Sequence, residues 1–209
     1  MVSRYRSFGA NQWPADLPGF RESMLAYLTG VTALGREVLA LFARSLDLAE
    51  THFVPMFEEA SCHLRLVRYP PHPEAAPSDQ LGAGTHTDWG ALTLLMQDGS
   101  GGLQVQTVSG EWIDATPVPS AFVVNIGDLM ARWTNDRYRS SPHRVRNDRT
   151  GSHRYSMAFF FAPDPHAMIE CLPSCTSAEV PPRYPACTAG QHMREMVERT
   201  YGKGRPIPA

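Results

Sequence analysis

Between Cys62 and Phe161 the chain breaks into seven short runs rich in β-branched and aromatic residues, each bounded by turn residues. They are His63 to Tyr69, Ala91 to Gln97, Gly102 to Val108, Glu111 to Thr116, Ala121 to Ile126, Arg139 to Arg146 and Ser152 to Phe161. Strands this short and this frequent bury their apolar faces by stacking as a sandwich or closing as a barrel. Ser109-Gly110 reads as one hairpin turn and Asn147-Asp148-Arg149-Thr150-Gly151 as another.

The segment ahead of these runs has a different period. Phe20, Met24, Leu25, Leu28, Val31, Leu34, Val38, Leu41 and Phe42 recur at helical spacing and predict one long amphipathic helix to about Leu46, then a helical turn over His52 to Phe57. Gly30 and Gly35 inside the helix each cost about 1 kcal/mol relative to Ala, so a close packing partner is expected on their side. A Pro-rich stretch around Val180 to Pro185 leads into a closing helix, Ala189 to Tyr201. The expected fold is mainly β with flanking helices: a double-sheet core of jelly-roll or cupin type preceded by a long helix. At 209 residues, 43% of them hydrophobic, one domain is expected, with a helical lead-in over 1–60, a β core over 61–165 and a C-terminal tail and helix over 166–209.

A formal charge of -2 without a basic run gives no reason to expect a nucleic-acid partner, which leaves a small molecule. No apolar stretch is expected to approach the roughly 18 to 20 residues of a membrane helix, and the first residues lack the apolar centre of a secretion signal. A cytoplasmic protein without a membrane partner is the expectation. Cys62, Cys171, Cys175 and Cys187 form no C-x-x-C pair, so reduced thiols are expected rather than a disulfide framework or a structural zinc site.

Three side chains carry the chemistry. His86 and Asp88 lie at i and i+2, so on a strand both would face the barrel interior while Thr87 points outward. His143, in a later predicted strand, can supply a third ligand from a neighbouring position. Two imidazoles and a carboxylate fill one face of an octahedron and leave positions open for a co-substrate and dioxygen, which suits non-haem Fe(II). H-x-D alone is a weak signal, since surface His/Asp pairs are common. The joint pattern is stronger, because Arg154 and Ser156 again lie at i and i+2 and can point into the same interior. A dicarboxylate that chelates iron through one end would leave its far carboxylate deep in the barrel, where it needs a partner. A guanidinium fork and a hydroxyl supply one.

These residues resemble the 2-oxoglutarate/Fe(II)-dependent dioxygenases, in particular the isopenicillin N synthase-like branch with its double-stranded β-helix core. The resemblance rests on Tyr69-Pro70-Pro71, Gly84-Thr85-His86-Thr87-Asp88-Trp89-Gly90, Gly102-Leu103-Gln104-Val105, Val124-Asn125-Ile126-Gly127-Asp128, Arg132-Trp133-Thr134-Asn135, Ser141-Pro142-His143-Arg144-Val145 and Arg154-Tyr155-Ser156. It implies that His86, Asp88 and His143 bind Fe(II), and that Arg154, Ser156 and Tyr69 hold the distal carboxylate of 2-oxoglutarate. Val67 stands where plant members carry an asparagine that also touches the co-substrate. The implied reaction consumes O2 and 2-oxoglutarate, releases succinate and CO2, and hydroxylates, desaturates or cyclises a small organic molecule. Halogenating relatives replace the carboxylate ligand by a small residue, so Asp88 argues against halogenation.

The family usually carries a further segment ahead of the long helix, and this chain lacks it. The expectation is a fragment or a short form whose open flank could self-associate. Phe160 shares the predicted inward face of Arg154 and Ser156, and Trp89, Trp133 and Phe159 lie near the motifs, so an apolar or aromatic substrate is expected. Two other readings stand beside this one: a 2-oxoglutarate-independent iron oxidase whose Arg/Ser pair binds a substrate carboxylate, and a non-catalytic truncated paralogue. A zinc hydrolase with the same ligands would leave the Arg/Ser pair without a task.

Overall fold

A computed structural model describes residues 10–71, 80–146 and 152–202. The helix α1 (Phe20–Ser45) ends within one residue of the expected boundary. It lies on a four-stranded sheet of β1 (Ser61–Tyr69), β8 (Arg154–Ala162), β3 (Leu92–Gln97) and β6 (Val123–Ile126), in that order. A smaller sheet runs β2 (Ala83–His86), β7 (His143–Val145), β4 (Leu103–Gln106) and β5 (Trp112–Asp114). All pairings are antiparallel.

Period-two alternation divides the large sheet into two faces. Leu64 of β1, Leu92 and Leu94 of β3, and Phe159 and Phe161 of β8 face α1, where they join Val31, Leu39, Ala43, Phe53, Phe57 and Trp133 in the main core. Each such side chain contributes roughly 1.5–3 kcal/mol by leaving water. Leu95 and Ala158 on the opposite face meet Leu103 and Val145 of the small sheet, with Tyr69 and Phe160 packed against them. Trp133 and Phe159 therefore belong to the core beneath α1 and not to a binding surface. Gly35 has the close partner the helix pattern predicts, since a Cβ there would stand 2.9 Å from Phe161 Cδ1. Gly30 does not, having nothing within 4 Å. Helix α1 is also long and apolar enough, with a mean hydropathy of 1.3, to cross a membrane by length and composition. Here its Val31, Gly35, Leu39 and Ala43 face is buried against the sheet.

Four features depart from the sequence reading. Strand β2, the short helix α2 (Asp128–Trp133) and the two-stranded pair of β9 (Met168–Ile169) with β10 (Cys187–Thr188) carry too few periodic residues to be foreseen. The run over Arg139 to Arg146 narrows to three paired residues, as Pro142 can donate no ladder hydrogen bond. The β4–β5 hairpin forms where expected, with Gly110 at φ 87°. The second expected hairpin turn, 147–151, lies outside the described residues. The strands flanking it belong to different sheets, because β8, largely buried on both faces, takes the centre of the large sheet between β1 and β3. The closing helix α3 (Ala189–Tyr201) has the expected bounds and begins with a capping box between Thr188 and Gln191.

Candidate metal centre and adjoining cavity

His86 and His143 stand directly opposite each other on β2 and β7. Their ring centroids are 4.3 Å apart, and His143 Nε2 lies 3.7 Å from Asp88 Oδ1. One ligand atom from each of His86, Asp88 and His143 falls within 4.8 Å of the others. Each imidazole uses Nδ1 on a backbone carbonyl two residues earlier, His86 on Gly84 at 2.7 Å and His143 on Ser141 at 3.1 Å. A carbonyl only accepts, so Nδ1 carries the proton in both rings and Nε2 keeps its lone pair for a metal.

The clamp is built differently from the sequence expectation. Strand β2 ends at His86, and Asp88 stands in the loop that follows, not at the next inward strand position. The amino end of α2 fixes that loop: Asp128 N–H donates to Asp88 O at 2.8 Å, Leu129 N–H to Gly90 O at 3.1 Å, and Gly127 N–H to Ala91 O at 2.9 Å. Gly127 is needed for this approach, because a Cβ there would overlap the Gly90 carbonyl. Thr87 points to Asp128, whose Oδ2 accepts its hydroxyl at 3.2 Å. Burial is the main cause that raises the Asp128 carboxyl above its ordinary pKa. Asn125 on β6 donates to Asp88 Oδ2 at 3.3 Å, leaving Oδ1 toward His143. Asn125 entered the sequence reading only as part of a motif, and nothing local reveals that it reaches Asp88.

Deeper between the sheets, Arg154 is 1% exposed. Its Nε donates to Gly101 O at 2.6 Å, Nη1 to Ser156 Oγ at 3.3 Å and Nη2 to Gln97 Oε1 at 3.2 Å, while the guanidinium carbon stands 5.0 Å from the Tyr69 ring centroid. Register explains the grouping: Tyr69 pairs with Arg154 and Gln97 with Ser156. Burial is the main influence that draws the Arg154 pKa down, with Tyr69 and Asp98 opposing it. Its hydrogen-bond partners are all neutral, and among the described residues no carboxylate is ion-paired with it. A buried cation held by neutral oxygens fits an incoming carboxylate. Val67 pairs with Ser156 across the ladder and offers no polar group there.

A cavity of about 630 Å3 opens beside His86 and Asp88. His63 and Arg65 of β1, Phe160 of β8, Trp89, and Met193 and Tyr201 of α3 line it. Phe160 and Trp89 are the two expected aromatics that reach it. His63, Arg65 and α3 were missed, although period two from Tyr69 back along β1 places Arg65 and His63 on the same face. Burial, then the Arg65 charge, holds the His63 imidazole below its ordinary pKa. His192 of α3 meets Trp89 O through Nε2 at 3.1 Å and fastens the helix to the Asp88 loop.

The profile of the 2OG-Fe(II) oxygenase superfamily matches residues 60–163. Over 200 residues the chain is 43% identical to the 2-oxoglutarate-Fe(II) type oxidoreductase hxnY of Emericella nidulans, covering 93% of this chain and 57% of the relative. A full-length Neurospora crassa protein, crystallised with alpha-KG and thymine, superposes with a TM-score of 0.84 at 35% identity, over 90% of this chain and 60% of that one. A 2OG-Fe(II) oxygenase family protein from Caulobacter crescentus superposes with a TM-score of 0.85 at 34% identity, over 95% of this chain and 66% of that one. The chain thus spans about three fifths of the length of the first two of these relatives.

Proposed function

The chain belongs to the 2OG-Fe(II) oxygenase superfamily, and from that premise we propose that it oxidises a small organic molecule with Fe(II), 2-oxoglutarate and O2. His86, Asp88 and His143 would hold the metal, and Arg154, Ser156 and Tyr69 the distal carboxylate of 2-oxoglutarate. The single observation that carries this reading is the pairing of a two-His, one-carboxylate cluster with a buried guanidinium held by neutral oxygens between the same two sheets. When bound, the metal with 2-oxoglutarate and O2 supplies the oxidising power for attack on an unactivated C–H bond, with succinate and CO2 released.

The residues of the chain supply position and polarity. The Nδ1–H bonds to Gly84 and Ser141 orient both imidazoles. Asn125 and the amino end of α2 hold the Asp88 carboxylate, and Gln97 and Gly101 keep the Arg154 fork aimed. Hydroxylation is the proposed outcome, with desaturation or ring closure as variants of it. The relative solved with thymine supports a small cyclic substrate. The same proposal takes the protein as cytoplasmic, without a nucleic-acid or membrane partner.

Self-association beside β1 also belongs to it, supported by β1 lying at the edge of the large sheet with Leu66 exposed. A light-scattering mass of one chain at micromolar concentration would remove that part. The principal test is anaerobic titration of the Fe(II)-loaded protein with 2-oxoglutarate, followed by oxygen. A weak visible charge-transfer band and slow succinate release are expected. Stoichiometric iron with neither signal would favour an oxidase independent of 2-oxoglutarate or a non-catalytic protein.

A further inference from the structure

The cavity beside His86 has a polarity that the dioxygenase reading does not use. Besides His86 and Asp88, the lining residues with ionisable side chains are His63, Arg65 and Tyr201. Arg65 is thus the one fixed charge among the described lining residues outside the candidate metal set, and it is positive. Its guanidinium carbon stands 5.5 Å from the centroid of the Phe160 ring. Cross-strand pairing sets this arrangement: His63 lies opposite Phe160 and Arg65 opposite Ala158, whose methyl leaves the diagonal toward Phe160 open. The wall thus combines an aromatic ring, a guanidinium over it and an imidazole opposite it across the strand pair.

Resting on the dioxygenase reading, we propose that this wall selects a flat small-molecule monocarboxylate, its ring or unsaturated body against Phe160 and its carboxylate against Arg65 and His63. The carboxylate would face away from His86 and Asp88, leaving the body of the molecule toward the metal positions. A guanidinium gives a carboxylate two parallel donors, and an aromatic ring receives a flat body without ordering many torsions. With its pKa lowered, His63 is neutral near pH 7 and offers an N–H in place of a second charge. The apolar rest of the wall, including Ala162, Met193 and Pro165, offers no second charge for a dianion.

The test uses 1-naphthoate and 1-naphthamide, equal in shape and different in charge, in equilibrium dialysis against the metal-free full chain. Naphthoate should bind at least about tenfold more tightly than naphthamide, and Arg65→Gln should remove that preference while naphthamide changes by less than about twofold. Arg65→Lys should keep part of the preference, and a melting temperature close to wild type for both variants controls for folding. Phe160→Ala should weaken both probes alike. Equal binding of the two probes, no binding of either, or a naphthoate preference that survives Arg65→Gln overturns the proposal. So does a preference that disappears in Arg154→Gln, which would place naphthoate in the 2-oxoglutarate position. Succinate release by the iron-loaded wild type is read separately, so failure of the dioxygenase reading and failure of this proposal are distinguishable.

Discussion

The two sheets contribute to the site in different ways. The large sheet has nine-residue strands, β1 and β8, packed on α1 through a wide aromatic core, and it carries Arg154, Ser156, Gln97 and Tyr69. The small sheet has strands of three or four residues and carries His86 and His143, while Asp88 hangs in a loop beyond it. The candidate anion end is therefore brought together by ladder register and core packing. The candidate metal end is positioned by individual hydrogen bonds with α2, Asn125 and two backbone carbonyls. A long, well-packed strand brings Arg154 to its hydrogen-bond partners by register, whereas three short pieces need outside support to converge.

Substitutions can break this contrast from either end. His143→Ala removes one of three candidate ligands and should lower Fe(II) affinity by roughly a thousandfold in competition with a chelator, with the fold retained by circular dichroism. Retained iron binding would sink the triad. Arg154→Ala should raise the 2-oxoglutarate requirement by about a hundredfold while iron affinity stays within about twofold, because the Arg154 side chain hydrogen-bonds to none of the three candidate ligands. Coupled loss of both would show that the ends are not independent.

His192 sharpens the comparison through pH. Burial foremost, then the Arg132 charge, lowers its pKa from 6.5 to about 4, while the Trp89 carbonyl and Glu195 oppose and Arg199 adds to the lowering. The folded state keeps this imidazole neutral, and the unfolded chain takes up a proton as pH falls below 6.5. His192 thus causes no loss above that pH, and stability falls as pH drops toward the folded value, by about 2 kcal/mol between pH 7 and pH 5. Denaturant melts of wild type and His192→Gln should differ in that slope; parallel pH profiles would count against it.

Asn125→Ala should cost about tenfold in iron affinity, the usual effect of freeing a ligand carboxylate from its supporting donor, and leave 2-oxoglutarate contacts untouched. The smallest pair of effects concerns α1. Gly35→Ala should lower stability by about 1 kcal/mol or more as the new methyl presses Phe161, whereas Gly30→Ala, with open space, should raise it by up to about 1 kcal/mol. Thermal unfolding would show opposite signs, and equal shifts would mean that α1 does not seat on β8 as described.

Much of this is legible in the sequence, for reasons that differ by element. Helices α1 and α3 and strands β1, β3 and β8 announce themselves because a buried face imposes a period on every residue along it. His86, Asp88, His143, Arg154 and Ser156 could be grouped because their residue types and order fit one chemistry, and Tyr69 joined them only through the family resemblance. Strand alternation was the wrong reason for grouping His86 with Asp88, since β2 stops at His86 and α2 completes the geometry. A six-residue helix and four-residue strand leave too short a periodic trace to be recognised.

By itself, then, the sequence determined which side chains could serve a metal and a carboxylate, which follows from residue type and order, and which faces of the long elements must be buried, which follows from local period. The tertiary structure decided what those residues meet. Asn125 reaching Asp88, Gln97 holding Arg154, and Arg65 over Phe160 in a cavity also lined by α3 are contacts between strands and helices far apart in the chain. Such contacts depend on strand order and on which sheet receives β8, a choice made by packing across the whole core and legible in no single segment.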